Sequence, residues 1–380
     1  MNCDIKYVGV NDLNIDLFES QYKAPNGISY NSYVINDKKI AVMDSVDVHF
    51  ADEWIDNIKS ATNNLSPDFL IIQHMEPDHS SSIMHFLDAF PSARLVSSIK
   101  SFSMMRGFFG KDFTESRIVI DNGDSLSLGK HRLNFLTAPM VHWPEVIVSH
   151  DSYGGALFSA DAFGKFGALN TKDDWASEAR RYYFGIVGKY GCQVQSLLNK
   201  TKGLNIKSIL PLHGPIIDSN IDYYVNLYNT WSTYTPECDG VCIAYASIYG
   251  NTKDAALLLE KRLADLGVKA TSFDLTRCDM YEAVASAFKY DRLVLASATY
   301  NGGVFPSMRE FINNLAERNF QNRKIAFIEN GSWAPCATRV MKCMLTRCKN
   351  LDFYHTEPKI ISALNNISTA QIEALARELR

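Results

Sequence analysis

The chain has 380 residues, a net charge of −4 and 21% charged residues, which describe an ordinary globular protein long enough for two domains. It has no cluster of Lys and Arg of the kind that binds nucleic acid, and no uninterrupted apolar stretch approaches the ~18 residues of a membrane span. The N-terminus has early acidic residues and no apolar signal-peptide core, so we expect a cytoplasmic protein.

Eight cysteines are spread thinly along the chain, and no two of them have the C-x-x-C spacing of a metal or redox module. We therefore expect reduced thiols rather than disulfides or a four-cysteine metal site. The cysteines are Cys3, Cys192, Cys238, Cys242, Cys278, Cys336, Cys343 and Cys348.

The first half of the chain alternates short apolar runs with loops that contain His and Asp. Tyr33–Ile35 and Ile40–Met43 predict a hairpin, and Phe50–Ala61 and Glu178–Asn199 have helical periodicity. Mixed strands and helices of this kind predict an α/β sandwich. Further buried strands are predicted at Phe69–Ile72, Leu133–Leu136, Ala156–Phe158 and Ile209–Leu210.

The second half begins after Pro236 and Gly240, which break the chain near residues 230–240. We therefore predict one domain over residues 1–238 and a second over residues 239–380. In the second domain strands and helices alternate, which predicts a doubly wound parallel sheet. The predicted elements are strand Val241–Ala246, helix Asp254–Leu266 with its stop at Gly267, strand Arg292–Ala296, helix Ser307–Ala316 and strand Lys324–Ile328.

Four potential metal ligands lie within six residues, directly after the predicted strand Phe69–Ile72. Pro77 stiffens the loop that carries them, which lowers the cost of ordering them. Three more potential ligands each follow another predicted strand, so all seven are expected to meet at one edge of the sandwich. The seven are His74, Glu76, Asp78, His79, His142, Asp161 and His213.

A single His near a strand end is usually an ordinary polar residue, but the set of seven is different. Clustered carboxylates and imidazoles repel or lose solvation unless a cation neutralises them. With no thiolate in the set, the nitrogen and oxygen donors fit two iron or manganese ions better than a structural zinc. The histidines that we assign to the ordinary class are His49, His85, His131, His150 and His355.

Three loops of the second domain follow successive predicted strands, where open parallel sheets bind ligands. The first loop precedes a helix N-terminus, where hydroxyl and backbone N–H groups bind anions. Neither G-x-x-x-x-G-K nor G-x-G-x-x-G occurs, which disfavours a nucleotide triphosphatase and a Rossmann NAD site. The candidate residues are Ser247, Ile248, Tyr249, Gly250, Asn251 and Thr252 in the first loop, Thr299, Tyr300, Asn301, Gly302 and Gly303 in the second, and Gly331, Ser332 and Trp333 in the third.

The order H-x-E-x-D-H, then His, Asp and His, resembles the ligand order of the metallo-β-lactamase superfamily. Hydrolases of that superfamily usually have His where this chain has Glu76, and this replacement resembles the flavodiiron branch, whose metals are iron. The resemblance covers residues 1 to about 238 and implies an αββα sandwich. It implies that one iron, nearer the flavin, is held by His74, Glu76 and His142, that the other is held by Asp78, His79 and His213, and that Asp161 bridges them.

The motif S-x-Y-G-N-T followed by T-Y-N-G-G resembles flavodoxin and the flavodoxin-like part of flavodiiron proteins, over about residues 239 to 380. This resemblance implies FMN, with Tyr300 and Trp333 placed to cover its ring. Together the resemblances imply an oxidoreductase in which FMN delivers electrons to the diiron site. We expect reduction of dioxygen to water. The alternatives are reduction of nitric oxide to N2O, a zinc hydrolase with a fused flavodoxin, and a non-catalytic electron carrier.

The expected partners are a small gas substrate and a separate electron donor, because the chain has neither a C-x-x-C module nor an NAD motif. The resemblance implies that this donor is rubredoxin. It also implies a head-to-tail homodimer, or a homotetramer of such dimers, in which the flavin of one chain faces the diiron site of the other. Neither nucleic acid nor a membrane is an expected partner.

Overall fold

The computed structural model describes residues 4–380, so Cys3 lies outside the described part of the chain, and the other cysteines are free. The chain divides into two compact units, Met1–Asn229 and Thr230–Arg380. The domain boundary predicted at residue 238 stays a prediction. Among the described residues, no helix has both the length and the apolar character needed to cross a bilayer.

The first unit is built from short strands and from helices of up to three turns. The strands are β1 (Ile5–Tyr7), β2 (Val10–Asp12), β3 (Leu17–Phe18), β4 (Tyr22–Lys23), β5 (Ile28–Tyr30), β6 (Tyr33–Ile35), β7 (Ala41–Met43), β8 (Phe69–Ile71), β9 (Arg94–Ser97), β10 (Arg117–Val119), β11 (Ser125–Ser127), β12 (Arg132–Thr137), β13 (Ile147–Asp151), β14 (Ala156–Phe158) and β15 (Ser208–Leu210). The helices are α1 (Ala51–Ala61), α2 (Pro77–Ser80), α3 (Ile83–Ala89), α4 (Ile99–Phe109), α5 (Trp175–Tyr182), α6 (Gly191–Thr201) and α7 (Ile221–Ser232), the last of which crosses the division between the units.

Two sheets of the first unit pack face to face. Their strand orders are β1-β6-β7-β8-β9-β10 and β11-β12-β13-β14-β15. The predicted hairpin is confirmed, because β6 and β7 pair antiparallel. Buried side chains from both sheets form one core, in which the rings of Tyr33 and Phe158 lie 5.7 Å apart. The first unit is therefore the expected α/β sandwich, with its core between the sheets.

The strand directions place several loops along the same edge of the second sheet. β14 and β15 run parallel, and β12 runs in the same direction because it and β14 both pair antiparallel with β13. The carboxyl ends of these three strands therefore lie side by side. In the first sheet, β7, β8 and β9 run parallel in the same way, and the ligand-rich loop follows β8.

The helix predicted over Glu178–Asn199 is interrupted, which corrects that prediction. α5 and α6 are separated by a π-helical turn and a 3-10 turn over residues 183–190. Gly185 packs against the ring of Tyr22, where a Cβ atom would come within 2.8 Å of a ring carbon. The Tyr22 hydroxyl also donates to the Gly185 carbonyl at 2.7 Å. This distant contact uses a backbone acceptor that a regular helix would use internally.

The second unit has a parallel sheet with helices between its strands. The strands are β16 (Cys238–Ala246), β17 (Ala270–Asp274), β18 (Tyr290–Tyr300), β19 (Gly303–Val304), β20 (Gln321–Asn330), β21 (Lys349–Phe353) and β22 (Lys359–Ile360). The helices are α8 (Asn251–Asp265), α9 (Met280–Lys289), α10 (Pro306–Glu317), α11 (Ala337–Leu345) and α12 (Asn366–Glu378). The strand order β17-β16-β18-β20-β21, with parallel pairing throughout, confirms the doubly wound sheet.

Two strands of this sheet end later than their apolar runs predict. β18 continues to Tyr300 and β20 to Asn330, so parts of two predicted loops belong to strands. Ser297 pairs with residues of both neighbouring strands, and Tyr300 pairs with Gly303 of β19. The backbone ladder therefore extends beyond the last apolar side chain, because pairing depends on the neighbouring strands and not on hydrophobicity alone.

Candidate functional site

All seven predicted ligand residues come together in the first unit. They form two groups, and within each group one ligand atom per residue lies within 4.8 Å of the others. All of them are buried except Glu76, which is half-buried. The His142 group consists of His74, Glu76, His142 and Asp161, and the His213 group consists of Asp78, His79 and His213.

Asp161 faces both groups with its two carboxylate oxygens. Its Oδ2 atom lies 3.1 Å from Nε2 of His74 and 3.1 Å from Nε2 of His142. Its Oδ1 atom lies 3.8 Å from Nε2 of His79 and 3.7 Å from Nε2 of His213. In the described part of the chain no hydrogen bond of proper geometry reaches either oxygen. A carboxylate in this position is able to bridge two cations.

The ionised carboxylates of the His142 group favour a bound cation. Burial raises the pKa of Asp161, but His74 and His142 outweigh it and hold this pKa well below its usual value. The same imidazoles outweigh burial at Glu76 and hold the pKa of its carboxyl low. Burial lowers the pKa of His142, but Asp161 and Glu76 raise it more, to about 9. The carboxylates are therefore ionised and favour positive charge beside them.

The His213 group also fits a metal ion. Nε2 of His79 lies 2.9 Å from Nε2 of His213 and 3.3 Å from Oδ2 of Asp78. Burial lowers the pKa of His79 to about 4, which keeps its imidazole neutral. Both carboxylate oxygens of Asp78 are buried, and no hydrogen bond within residues 4–380 reaches them. Neutral imidazole and free carboxylate oxygens without a thiolate are the donor set of iron or manganese rather than of structural zinc.

Glu145, which the sequence analysis did not assign to the site, fixes the orientation of His74. Its Oε1 atom accepts hydrogen bonds from Nδ1 of His74 (2.9 Å) and from the backbone N–H of Met75 (2.9 Å). Nε2 of His74 is therefore left facing the other ligands. Nothing in the sequence pattern around Glu145 predicts this contact, because the two residues are 71 positions apart.

Two further groups hold the ligand loops in place. Nδ1 of His213 donates to the backbone carbonyl of Ser29 at 2.8 Å. Asp44 is fully buried and accepts from the backbone N–H groups of Gln73 (2.7 Å) and His74 (3.3 Å). Asp44 directly follows strand β7. The criterion that identified His74, a potential ligand directly after a strand, would therefore also have identified Asp44. These contacts leave the ligand-bearing atoms preorganised.

In the second unit, the loops after β16, β18 and β20 surround a cleft of about 490 Å³. All of the predicted flavin residues line this cleft except Gly250 and Gly303. Gly250 precedes α8 with a φ of 102°, a conformation that favours glycine, and Gly303 belongs to the short strand β19. The sequence analysis did not assign four other residues that line the cleft, namely Ala298, Asn330, Ala334 and Ser362.

Two hydroxyl groups of the cleft also hold its loops together. The backbone N–H of Gly250 donates to Oγ of Ser247 at 3.1 Å, which closes the first loop. Oγ1 of Thr299 accepts from the backbone N–H groups of Cys336 (2.9 Å) and Ala337 (3.2 Å) at the start of α11. Thr299 therefore connects the second loop to the third, in addition to lining the cleft. The cleft also borders the start of α8, and backbone N–H groups at a helix N-terminus are suited to anions.

Two family models match this chain, and together they cover both units. The model of the ODP family beta lactamase matches residues 28–214, and the model of a flavodoxin domain matches residues 242–350. The first match contains all seven ligand residues, and the second contains the three loops of the cleft.

Relatives and solved structures resemble the chain over most of its length. An uncharacterized protein of Methanocaldococcus jannaschii is 28% identical over 92% of this chain and 88% of its own. An anaerobic nitric oxide reductase flavorubredoxin of Salmonella arizonae is 25% identical over 87% of this chain and 71% of its own. The structure of rubredoxin oxygen:oxidoreductase from Desulfovibrio gigas has a TM-score of 0.91 at 24% identity, covering 99% of this chain and 96% of its own. The flavodiiron protein of Giardia intestinalis has a TM-score of 0.88 at 23% identity, covering 100% and 95%.

Replacing Glu145 by Ala tests the orientation of His74. The change removes the acceptor of the Nδ1 proton, so the imidazole loses its fixed tautomer and direction. We expect the affinity for metal to fall about 10–100-fold, measured by competition with a chelator. Glu115 is exposed, and Glu115→Ala should leave the affinity unchanged. An unchanged affinity in Glu145→Ala would show that Glu145 does not orient this ligand.

The double variant Ser247→Ala with Thr252→Ala tests the first loop of the cleft. Each hydroxyl that hydrogen-bonds a charged phosphate contributes about 1.5–3 kcal/mol, so we expect FMN affinity to fall at least about 100-fold. Titration of the flavin-free protein with FMN, followed by fluorescence, measures this. The exposed Thr346 of the same unit provides the control Thr346→Ala. If the double variant binds FMN like the control, the loop is assigned wrongly.

Proposed function

We propose that this chain, a flavodiiron protein by its two matched domains, is an oxidoreductase that reduces dioxygen to water at two iron ions with electrons from FMN. The observation that carries the proposal is the position of Asp161 between two groups of nitrogen and oxygen donors. A site for a single ion does not require a buried carboxylate whose two oxygens face two separate groups of ligands. Two-metal sites need such a bridge.

Each ligand residue is proposed to serve one ion, except Asp161, which serves both. When bound, the flavin and the two ions supply the electrons for reducing a small molecule. His74, Glu76 and His142 would hold one ion, and Asp78, His79 and His213 the other. The indole ring of Trp143 lies 5.4 Å from the His74 ring and 6.1 Å from the His142 ring, so it shields two of the ligands from water.

Reduction of nitric oxide to N2O is the second candidate. The relative from Salmonella arizonae is named for nitric oxide reduction, whereas the Desulfovibrio gigas protein is named an oxygen oxidoreductase. Both reactions suit a site with two adjacent metal ions. A zinc hydrolase is disfavoured, because this chain has Glu76 where hydrolases of the metallo-β-lactamase superfamily usually have His.

We further propose that a separate donor, rubredoxin, delivers the electrons to this protein in the cytoplasm. The name of the Desulfovibrio gigas protein pairs rubredoxin with an enzyme of the same fold. The described cysteines are free, and their spacing does not form a C-x-x-C iron site. In this proposal the donor passes its electrons to the flavin.

We propose that the protein is a head-to-tail homodimer, or a homotetramer of such dimers. At the flavin cleft the side chain of Tyr249 is 93% exposed, and an exposed aromatic side chain of this kind is common at interaction surfaces. Beside His142 lies another cleft, of about 280 Å³, whose lining includes Trp143 and Tyr190. In the proposed dimer the flavin cleft of each chain faces this cleft of its partner across two equivalent interfaces.

Parallel turnover assays test the proposed reaction. The reduced protein is prepared anaerobically, and either dioxygen or nitric oxide is then added as the substrate. We expect two irons per chain and rapid dioxygen consumption without peroxide; faster nitric oxide consumption would favour the second candidate. Asp161→Ala should lose one or both irons and the activity, because the bridge is removed and the remaining ligands repel. The exposed His85 provides the control His85→Ala, which should keep both irons. Two zincs without iron, or equal iron in wild type and Asp161→Ala, would contradict the proposal.

Complementation between two inactive variants tests the head-to-tail dimer. One chain lacks metal through Asp161→Ala, and the other lacks FMN through Ser247→Ala with Thr252→Ala. After subunit exchange, a mixed dimer has one interface with an intact flavin site on one side and an intact metal site on the other. We expect part of the reductase activity to return in the mixture. If mixed dimers form but activity stays at zero, electrons do not pass between chains.

A further inference from the structure

The third loop of the flavin cleft is closed by a hydrogen bond between the two elements that flank it. This loop spans residues 331–336, between the end of β20 and the start of α11, and most of its residues line the cleft. Oε2 of Glu329, in β20, accepts from the backbone N–H of Thr338, in α11, at 3.1 Å. Glu329 therefore joins the two ends of a loop that forms one wall of the cleft.

The surroundings of Glu329 show which of its atoms matters. Its side chain is buried, and its backbone is fixed by pairing with Ser297 of β18 and Lys359 of β22. Oε1 lies 3.0 Å from Nζ of Lys359, but the Lys359 side chain is exposed, so this ion pair contributes little. The hydrogen bond through Oε2 is buried, and its loss would leave a helix N–H group without a partner. The acceptor atom is therefore more important than the charge.

The start of α11 is occupied by groups of the protein itself. Besides the bond to Glu329, the backbone N–H groups of Cys336 and Ala337 donate to Oγ1 of Thr299. These N–H groups are therefore not free to bind a phosphate. By contrast, α8 begins after Gly250, which has no side chain that could cap the helix. The phosphate of a flavin is thus suited to the first loop, which leaves the third loop for the flavin ring.

We propose that Glu329 is a positioning residue for the flavin, which holds the third loop in the conformation that receives the flavin ring. The proposal rests on the proposed function, because it requires that the cleft binds FMN. The hydrogen bonds of Glu329 and Thr299 order this loop in the flavin-free chain, so less conformational entropy is lost when the flavin binds. Shortening the side chain of Glu329 should weaken flavin binding whether or not the flavin has a phosphate.

Titration of the flavin-free full chain with FMN and with riboflavin, which lacks the phosphate, tests this proposal by fluorescence. Glu329→Gln keeps the length and an acceptor oxygen without the charge, whereas Glu329→Asp keeps the charge on a side chain one methylene shorter. We expect Glu329→Asp to bind both flavins about tenfold more weakly than wild type. Glu329→Gln should bind both like wild type. The exposed Glu317 of the same unit provides the matched control Glu317→Asp, which should change neither affinity.

Two further variants separate the ring from the phosphate and the hydrogen bond from the ion pair. Ser247→Ala with Thr252→Ala should weaken FMN and leave the affinity for riboflavin unchanged. Lys359→Met leaves the hydrogen bond to Thr338 in place and should bind both flavins like wild type. Thermal unfolding of the flavin-free variants checks that each of them folds.

Three results would each overturn the proposal. They are an unchanged riboflavin affinity in Glu329→Asp, an equal loss in Glu329→Gln and Glu329→Asp, and a loss in Lys359→Met as large as that in Glu329→Asp. A wild-type chain that binds neither flavin would instead overturn the flavin site of the proposed function, so the two failures are distinguishable.

Discussion

The buried charge of Asp161 is the constraint on which the first unit depends. A carboxylate with no hydrogen-bond donor and almost no exposure is stable only when positive charge surrounds it. Here, imidazoles from both groups face its two oxygens at 3.1 to 3.8 Å. The imidazoles in turn are oriented from behind, by Glu145 in one group and by the Ser29 carbonyl in the other. The ligand shell is thus built to be completed by cations.

In both units the candidate binding residues lie at the ends of strands, but the two units supply different chemical groups. In the first unit, side chains after β8, β12, β14 and β15 supply carboxylate and imidazole groups. In the second unit, loops after β16, β18 and β20 supply backbone N–H groups, hydroxyls and rings. The two units supply different groups because they are expected to bind different ligands. A metal ion needs anionic and imidazole donors, whereas a phosphate needs N–H donors at a helix start. The strands hold either set in place, and in the second unit the last residues of β18 and β20 also line the cleft.

Local patterns in the sequence were sufficient to predict the secondary-structure elements and the set of candidate ligands. They were not sufficient to predict contacts between residues that are distant in the sequence. The strand-end positions of His74, Asp161 and His213 follow from apolar runs and polar residues that are close in sequence. The interruption at Gly185 depends on Tyr22, which is 163 positions away. Likewise, Glu145 acquires its role only from the packing of its loop against His74. The extension of β18 to Ala298 depends on its pairing with the distant strands β16 and β20. In each case the deciding partner lies outside any local window.

The two groups of candidate metal ligands differ in their access to water. The His213 ring is surrounded by the rings of Phe18, Tyr182 and Tyr30 at 5.3, 5.6 and 6.0 Å. This apolar shell leaves little room for exchange at the His213 group, since the hydrophobic shell around a metal site controls solvent access. The His142 group, in contrast, borders the cleft, and its Glu76 side chain is 15% exposed. Small molecules would therefore reach a bound pair of ions from the side of the His142 group, which borders the cleft.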